Sequence, residues 1–190
     1  MTSVRIIWLI LCLLWVIAEI RLARNLRPNH KTIVSGERRS QWLLWLSVLA
    51  GLGFAFWFKQ LAWLPIPIRY LPRQLLAMLL FAGGLSLRYW AIAQLGRFFT
   101  SHVTIQRQHK LITNGPYRWV RHPAYTGLLL ALAAAGLAMG DVMAVACTSL
   151  PTFLAFNSRI ELEERMLKQK FAEAYIEYSQ GTWKLVPWLL

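Results

Sequence analysis

RHPAYTGLLLALAAAGLAMGDVMAVACTSLPTFLAFN, residues Arg121 to Asn157, contains two apolar runs, Ala124 to Met139 and Val142 to Asn157, separated only by Gly140 and Asp141. A helix needs about 20 apolar residues to cross the hydrocarbon of a bilayer, somewhat fewer where flanking polar groups snorkel. A two-residue Gly-Asp connection leaves room only for a tight antiparallel helical hairpin. Immediately before it lies NGPYRWVRHPAYTG, Asn114 to Gly127. That stretch is dense in aromatic, basic and turn-forming residues, and Pro123 suits the first position of a helix, where its missing N–H is no loss.

Working outward, three more segments approach spanning length: Val4 to Ile20, Gln41 to Phe58, and Leu71 to Leu87 or slightly beyond. The sequence therefore predicts an all-α integral membrane protein with five transmembrane helices. The run VRIIWLILCLLWVIAEI carries most of its positive charge after the apolar stretch and has no small-residue cleavage site behind it, so it reads as a retained helix rather than a signal peptide. LPIPIRYLP, with Pro65, Pro67 and Pro72, cannot continue a helix and is expected to be a loop or interfacial elbow.

The composition agrees: 57% of the 190 residues are hydrophobic, ten are Trp, and only eight are acidic. A net charge of +13 would suggest nucleic acid in a soluble chain. Here the Lys and Arg residues flank apolar runs, where they set topology, so no nucleic-acid partner is expected. Cys12 and Cys147 fall inside apolar runs and offer neither a disulfide framework nor paired zinc-ligand spacing.

Six basic residues lie between Arg21 and Arg39, two between Lys59 and Arg69, five between Arg97 and Arg121, none at the Gly140 turn, and five from Arg159 onward. Basic-rich and basic-poor connections alternate. The positive-inside rule then puts the N-terminus outside and the Arg21 loop, the Arg97 to Arg121 loop and the C-terminal segment in the cytoplasm. With no internal repeat or low-complexity linker, residues 1–190 read as one membrane domain. Its first part, 1–92, would hold three spans, and 93–190 would hold the functional half. Glu19 and Arg88 fall near the expected cytoplasmic ends of their spans and are expected to snorkel.

Two constellations stand on that face. In the first, His122 would occupy or adjoin the cap of span four, where free N–H groups favour an anionic ligand group, with Tyr125 one step into the helix. Arg118, Arg121, Tyr117 and Trp119 would serve equally as plain interfacial anchors. In the second, RIELEERMLKQKFAEAYIEY, Arg159 to Tyr178, lacks Pro and Gly and is rich in helix formers, so a helix is expected throughout. Ile160, Leu167, Phe171, Ala174 and Tyr178 make one apolar stripe; Glu163 falls on it, whereas Glu161, Glu164, Lys168 and Glu177 mostly fall off. An inward carboxylate near a membrane needs a cationic or hydrogen-bonding partner. Arg159, one turn earlier, is a candidate partner, in either a surface ion pair or a polar pocket.

Taken together, HKLITNGPYRWVRHPAYTG, the helical hairpin, ELEERMLKQKFAEAYIEY and KLVP resemble the isoprenylcysteine carboxyl methyltransferase family. The likeness is to its short five-span prokaryotic members, within the wider group that includes phospholipid N-methyltransferases, and it covers His102 to Pro187. It implies S-adenosyl-L-methionine as methyl donor, leaving S-adenosyl-L-homocysteine. It also implies a cytoplasmic cofactor pocket formed by the loop before helix four and a C-terminal amphipathic helix. By motif position, His109, Lys110, Leu111 and Ile112 would line the nucleoside end, largely through backbone, and Gln106 would add a further contact. Tyr117, His122 and Tyr125 would contact the methionine portion and Glu163 would also bind cofactor. Arg159 would bind substrate, and Arg159, His122 and Tyr125 are the catalytic candidates. Lys184 stands where prokaryotic relatives often have Arg, and an ammonium cannot reproduce a guanidinium fork.

A carboxylate acceptor is already ionised at neutral pH and needs no general base; Arg159 would orient it while Glu163 offsets the cofactor's charge. An amine or thiol acceptor would need proton removal, for which His122 or Tyr125 are the candidates. The acceptor is expected to be lipophilic, a prenylated or small molecule entering from the membrane lipid. A phospholipid amine, a small thiol, and a non-catalytic membrane scaffold remain open alternatives. A transporter is disfavoured by the lack of repeats.

Overall fold

A computed structural model describes residues 2–25, 37–99 and 110–187. The helices are α1 (Thr2–Asn25), α2 (Glu37–Leu61), α3 (Tyr70–Leu95), α4 (Pro123–Met139), α5 (Val142–Phe171) and α6 (Glu173–Gln180), with short 3-10 turns at Gly96–Phe98 and Gly115–Arg118. Among the described residues there is no strand, only two isolated bridges, Pro65 with Asp141 and Val120 with Trp183.

Among the described residues, three helices are long and apolar enough to cross a membrane: α1 over Thr2–Arg24 with mean hydropathy 2.3, α2 over Trp42–Leu61 with 1.5, and α3 with 1.6. Their outer faces carry exposed Leu, Ile, Phe and Trp, as lipid contact requires. The chain is thus a multi-pass helical membrane protein. The apolar α4 is shorter, because Pro123 fixes its start and the left-handed Gly140, at φ 87°, its end. Asp141 makes the expected hairpin. One carboxylate oxygen accepts from Met143 N at 2.8 Å, capping α5, and the other accepts from Leu64 N at 2.9 Å. The proline-rich connection is thereby fastened to the turn, with Ile66 N donating to Gly140 O at 3.0 Å.

Helices α3, α4 and α5 form the packed centre, with α2 laid along α5 and α1 attached mainly to α3. The α3–α4 crossing depends on two glycines. A Cβ on Gly84 would stand 2.6 Å from Gly127 O, and one on Gly127 2.4 Å from Gly84 O. Small residues let backbones approach closely where lipid supplies no hydrophobic drive for association. Around this crossing, Leu128, Leu132, Phe156 and Ile160 form one core cluster, which also buries Leu185.

Helix α1 is held to α3 by edge-on contacts of Trp8 and Trp15 with Phe81, at 5.4 and 6.0 Å between centroids, and by two polar contacts. Near one end, Trp8 Nε1 donates to Gln74 Oε1 at 2.6 Å, and Gln74 Nε2 donates to Ala138 O. Near the other, Arg88 forks onto Glu19, with Nε at 2.7 Å and Nη2 at 3.0 Å. Glu19 and Arg88 therefore do not snorkel. Both are largely buried, and a guanidinium and carboxylate that satisfy each other within the bundle have no need to reach water.

The single amphipathic helix expected over Arg159 to Tyr178 is also corrected. Helix α5 runs unbroken through Asn157 to Phe171, since nothing in that stretch stops it, and the chain turns at Ala172, φ 44°. The turn lets α6 fold back so that Tyr175 is buried and Tyr178 donates to Tyr117 O at 2.7 Å.

Candidate active site

One cavity lies where the start of α4, the second half of α5 and α6 meet, and it continues between α1 and α2. Counting its open mouth, it holds about 1660 Å³ of empty space. Its polar end is lined by Tyr117, Arg121, His122, Tyr125, Arg159 and Glu163; its apolar end by Trp15, Leu44, Trp45, Val48, Leu128 and Phe156. One cavity therefore presents a charged, hydrogen-bonding wall at one end and an apolar wall at the other.

The polar end is built by backbone as much as by side chains. Gly115, at φ 63°, opens the turn that carries Tyr117, and residues 119–122 then run beside the segment after α6. Trp183 N donates to Trp119 O at 3.0 Å, Arg121 N to Trp183 O at 2.7 Å and His122 N to Lys184 O at 3.2 Å. Thr126 Oγ1 adds a bond to Leu185 O at 2.6 Å. His122 is the N-cap of α4 by backbone position only; its side chain caps nothing, so the ring turns to α5.

There, the Tyr125 hydroxyl accepts from Arg159 Nε at 2.9 Å and donates to Glu163 Oε2 at 3.2 Å, while its ring packs against Phe156 at 4.7 Å. His122 stands between two carboxylates. Nε2 is 3.2 Å from Glu164 Oε1, and Nδ1 is 3.9 Å from Glu163 Oε2. Arg121 also donates to Glu164 Oε1 at 3.0 Å, and its Nη1 donates to Ser179 O at 2.8 Å, in the last turn of α6, and to Thr182 O just beyond it.

Burial opposes ionisation of Glu164, but the hydrogen bonds of His122 and Arg121, with the Arg121 guanidinium charge, outweigh it and hold the carboxyl at about 2. Burial, reinforced by the Glu163 charge, pushes the Tyr117 phenol well above its ordinary value. Burial and the Glu164 charge do the same to Tyr175, and burial pushes Tyr178 up to about 12. These phenols stay protonated donors at any physiological pH. Tyr175 is 1% exposed and its hydroxyl, though beside Glu164, makes no hydrogen bond of good geometry among the described residues.

Of the residues singled out from sequence, Leu111, Ile112, Tyr117, His122, Tyr125, Arg159 and Glu163 are brought to this one cavity. Lys110 is exposed and does not line it. Gln106 and His109 lie outside the described residues. Lys184 Nζ donates to Asn157 Oδ1 at 2.6 Å. The sequence did not single out Glu164, Tyr175 or the inward role of Arg121. A signal was present in the doubled Glu163-Glu164. Adjacent helical residues point about 100° apart, so a ring inserted between them can meet both.

Apolar helices around a cavity with a charged, hydrogen-bonded end and a greasy end define a membrane-embedded helical protein with one two-faced cavity. Residues 75–169, half of the chain, match the isoprenylcysteine carboxyl methyltransferase (ICMT) family, and the chain belongs to that family. It is 35% identical over 108 residues to protein-S-isoprenylcysteine O-methyltransferase B of Arabidopsis thaliana, covering 56% of this chain and 55% of that one. It is 33% identical over 97 residues to the Schizosaccharomyces pombe protein-S-isoprenylcysteine O-methyltransferase, covering 50% and 41%. The chain spans about half the length of the curated relatives it matches. Its fold is similar to the eukaryotic intramembrane Ras methyltransferase ICMT, with a TM-score of 0.60, 23% identity, and coverage of 83% of this chain and 55% of that one.

Proposed function

We propose that this chain is an S-adenosylmethionine-dependent methyltransferase acting on the carboxylate of a lipophilic, isoprenylcysteine-like acceptor. The observation that carries the reading is the Tyr125 hydroxyl bridging Arg159 and Glu163 where the polar and apolar ends of one cavity meet. An anionic acceptor and a cationic donor need such a pair of opposite charges held close together.

The residues present fit the cofactor. Leu111 and Ile112 offer apolar contact, Glu163 a negative charge, and the partnerless Tyr175 hydroxyl a buried donor at the wall. S-adenosylmethionine, when bound, supplies a methyl group on a positively charged sulfur. Glu163 offsets positive charge at the polar end, and Arg159 and Tyr125 fix the direction from which a carboxylate approaches. That acceptor is ionised at neutral pH, so no residue need remove a proton. The apolar walls exclude water that would otherwise screen the opposite charges, and the remaining contribution is alignment.

In this reading α4 and the first part of α5 complete five spans, with the N-terminus outside and the cavity mouth in the cytoplasm. The basic residues that alternate between connections support that orientation. The apolar end between α1 and α2 would admit the acceptor from the lipid, separating it from the soluble cofactor by phase.

The test uses detergent-solubilised protein with S-adenosylhomocysteine in a calorimeter and labelled S-adenosylmethionine in a transfer assay. An N-acetyl-S-prenylcysteine should yield a base-labile methyl ester and its carboxamide should yield none. Loss of cofactor binding in Glu163→Ala is expected. No binding by the unaltered protein would favour a scaffold, and methylation of a phospholipid amine or a thiol instead would overturn the carboxylate assignment.

A further inference from the structure

We infer that Glu164 is a positioning residue that fixes His122 with its proton on Nε2, leaving Nδ1 to act with Glu163 as a paired acceptor for an amino or ammonium group of the ligand. The inference rests on the methyltransferase reading for the identity of that ligand, and on geometry alone for the histidine.

A carboxylate bonded to a guanidinium is an acceptor only. Glu164 Oε1 is held by Arg121 Nε at 3.0 Å, so the 3.2 Å contact from His122 Nε2 requires the hydrogen to be on that nitrogen. The ring cannot turn over to exchange its nitrogens freely, since His122 is 5% exposed and is packed beside Tyr125. In the neutral ring Nδ1 then carries a lone pair. It makes no hydrogen bond among the described residues and stands 3.9 Å from Glu163 Oε2, with both side chains lining the cavity. That separation is too long for a mutual hydrogen bond, yet one nitrogen about 2.9 Å from each atom can donate to both. A group with at least two N–H donors satisfies the pair; a hydroxyl, with one, does not.

Arg121 supports Glu164 from the other side, and its bonds to Ser179 O and Thr182 O tie the same carboxylate to the end of α6. The orientation of His122 thus depends on α6 being in place.

The test is nitrogen-15 spectroscopy of histidine-labelled protein in detergent, with the His122 signal among the four histidines assigned by His122→Asn. The unaltered protein should show the Nε2–H tautomer, and titration with S-adenosylhomocysteine should move the Nδ1 signal while leaving Nε2 in place. Glu164→Gln should redistribute the tautomers and weaken S-adenosylhomocysteine binding roughly tenfold or more. Glu161→Gln, on the exposed face, should do neither. An Nδ1–H tautomer or a doubly protonated ring in the unaltered protein at neutral pH, or an unchanged tautomer in Glu164→Gln, overturns the assignment. A changed tautomer with unchanged affinity overturns the paired acceptor. If Glu164→Gln does not fold, the unaltered protein's two signals still decide. If S-adenosylhomocysteine does not bind at all, the methyltransferase reading fails while the tautomer is still read.

Discussion

Arg88 and Glu19 join α3 to α1 by a two-point fork, 2.7 and 3.0 Å, within the wall of the cavity. Arg88 also reaches the Ala124 carbonyl at 3.3 Å, in the first turn of α4. One ion pair therefore binds three helices. Removing either partner leaves a buried charge unmatched, which typically costs about 3–5 kcal/mol. Glu19→Ala and Arg88→Ala should each lower the thermal midpoint in detergent by a similar amount, and Glu19→Leu with Arg88→Met together should recover much of the loss. Additive losses in the double variant would contradict the pairing.

Gly127 sits where the α3 and α4 backbones touch, and an added methyl would meet Gly84 O at 2.4 Å. Gly127→Ala should force the helices apart and cost about 1–3 kcal/mol. It should also disturb the α4 start two residues away, at Tyr125. A melt with and without S-adenosylhomocysteine checks both; stability equal to the unaltered protein would refute the close crossing.

Tyr125→Phe removes only the hydroxyl between Arg159 and Glu163. The ring still packs on Phe156, so the fold should persist. Methyl transfer at saturating substrate should fall by about 10- to 100-fold, because loss of alignment at a reacting centre is costly. Steady-state kinetics on a prenylcysteine acceptor reads this directly, and unchanged turnover would remove Tyr125 from the site.

Glu164 gives the fold an acid dependence of defined sign. Its carboxyl is held near about 2 in the fold against an ordinary 4.5, so its contribution is fully present above the ordinary value and is lost as pH falls through the folded one. Linkage puts that contribution at about 3 kcal/mol at neutral pH. Stability measured from neutral to strongly acid conditions should decline through this window in the unaltered protein and be flatter in Glu164→Gln. An equal decline in both would place the acid sensitivity elsewhere.

The helical hairpin was legible because two apolar runs meet at Gly140 and Asp141, where no other connection fits. The gathering of His122, Tyr125, Arg159 and Glu163 was legible only through the resemblance to the methyltransferase family, while the apolar stripe by itself pointed to Glu163 alone. Glu164 was not, since its partners Arg121 and His122 lie more than 40 residues earlier and helical periodicity speaks only for one face. The Glu19–Arg88 pair, 69 residues apart, has no local signature, and each side chain alone reads as a snorkelling charge. Ala172 gave no warning of the turn at its position, because alanine is an excellent helix former and only the burial of Tyr175 requires the break.

The stretch after α6 contributes mainly its peptide groups. Trp183, Lys184 and Leu185 receive bonds from Arg121, His122 and Thr126, and the Leu185 side chain is wholly enclosed. Since a ribosome delivers residue 121 long before residue 185, the start of α4 must wait through the synthesis of α4, α5 and α6 before it is clasped. The wall formed by Arg121, His122 and Thr126 is therefore completed only after the last helix has been made.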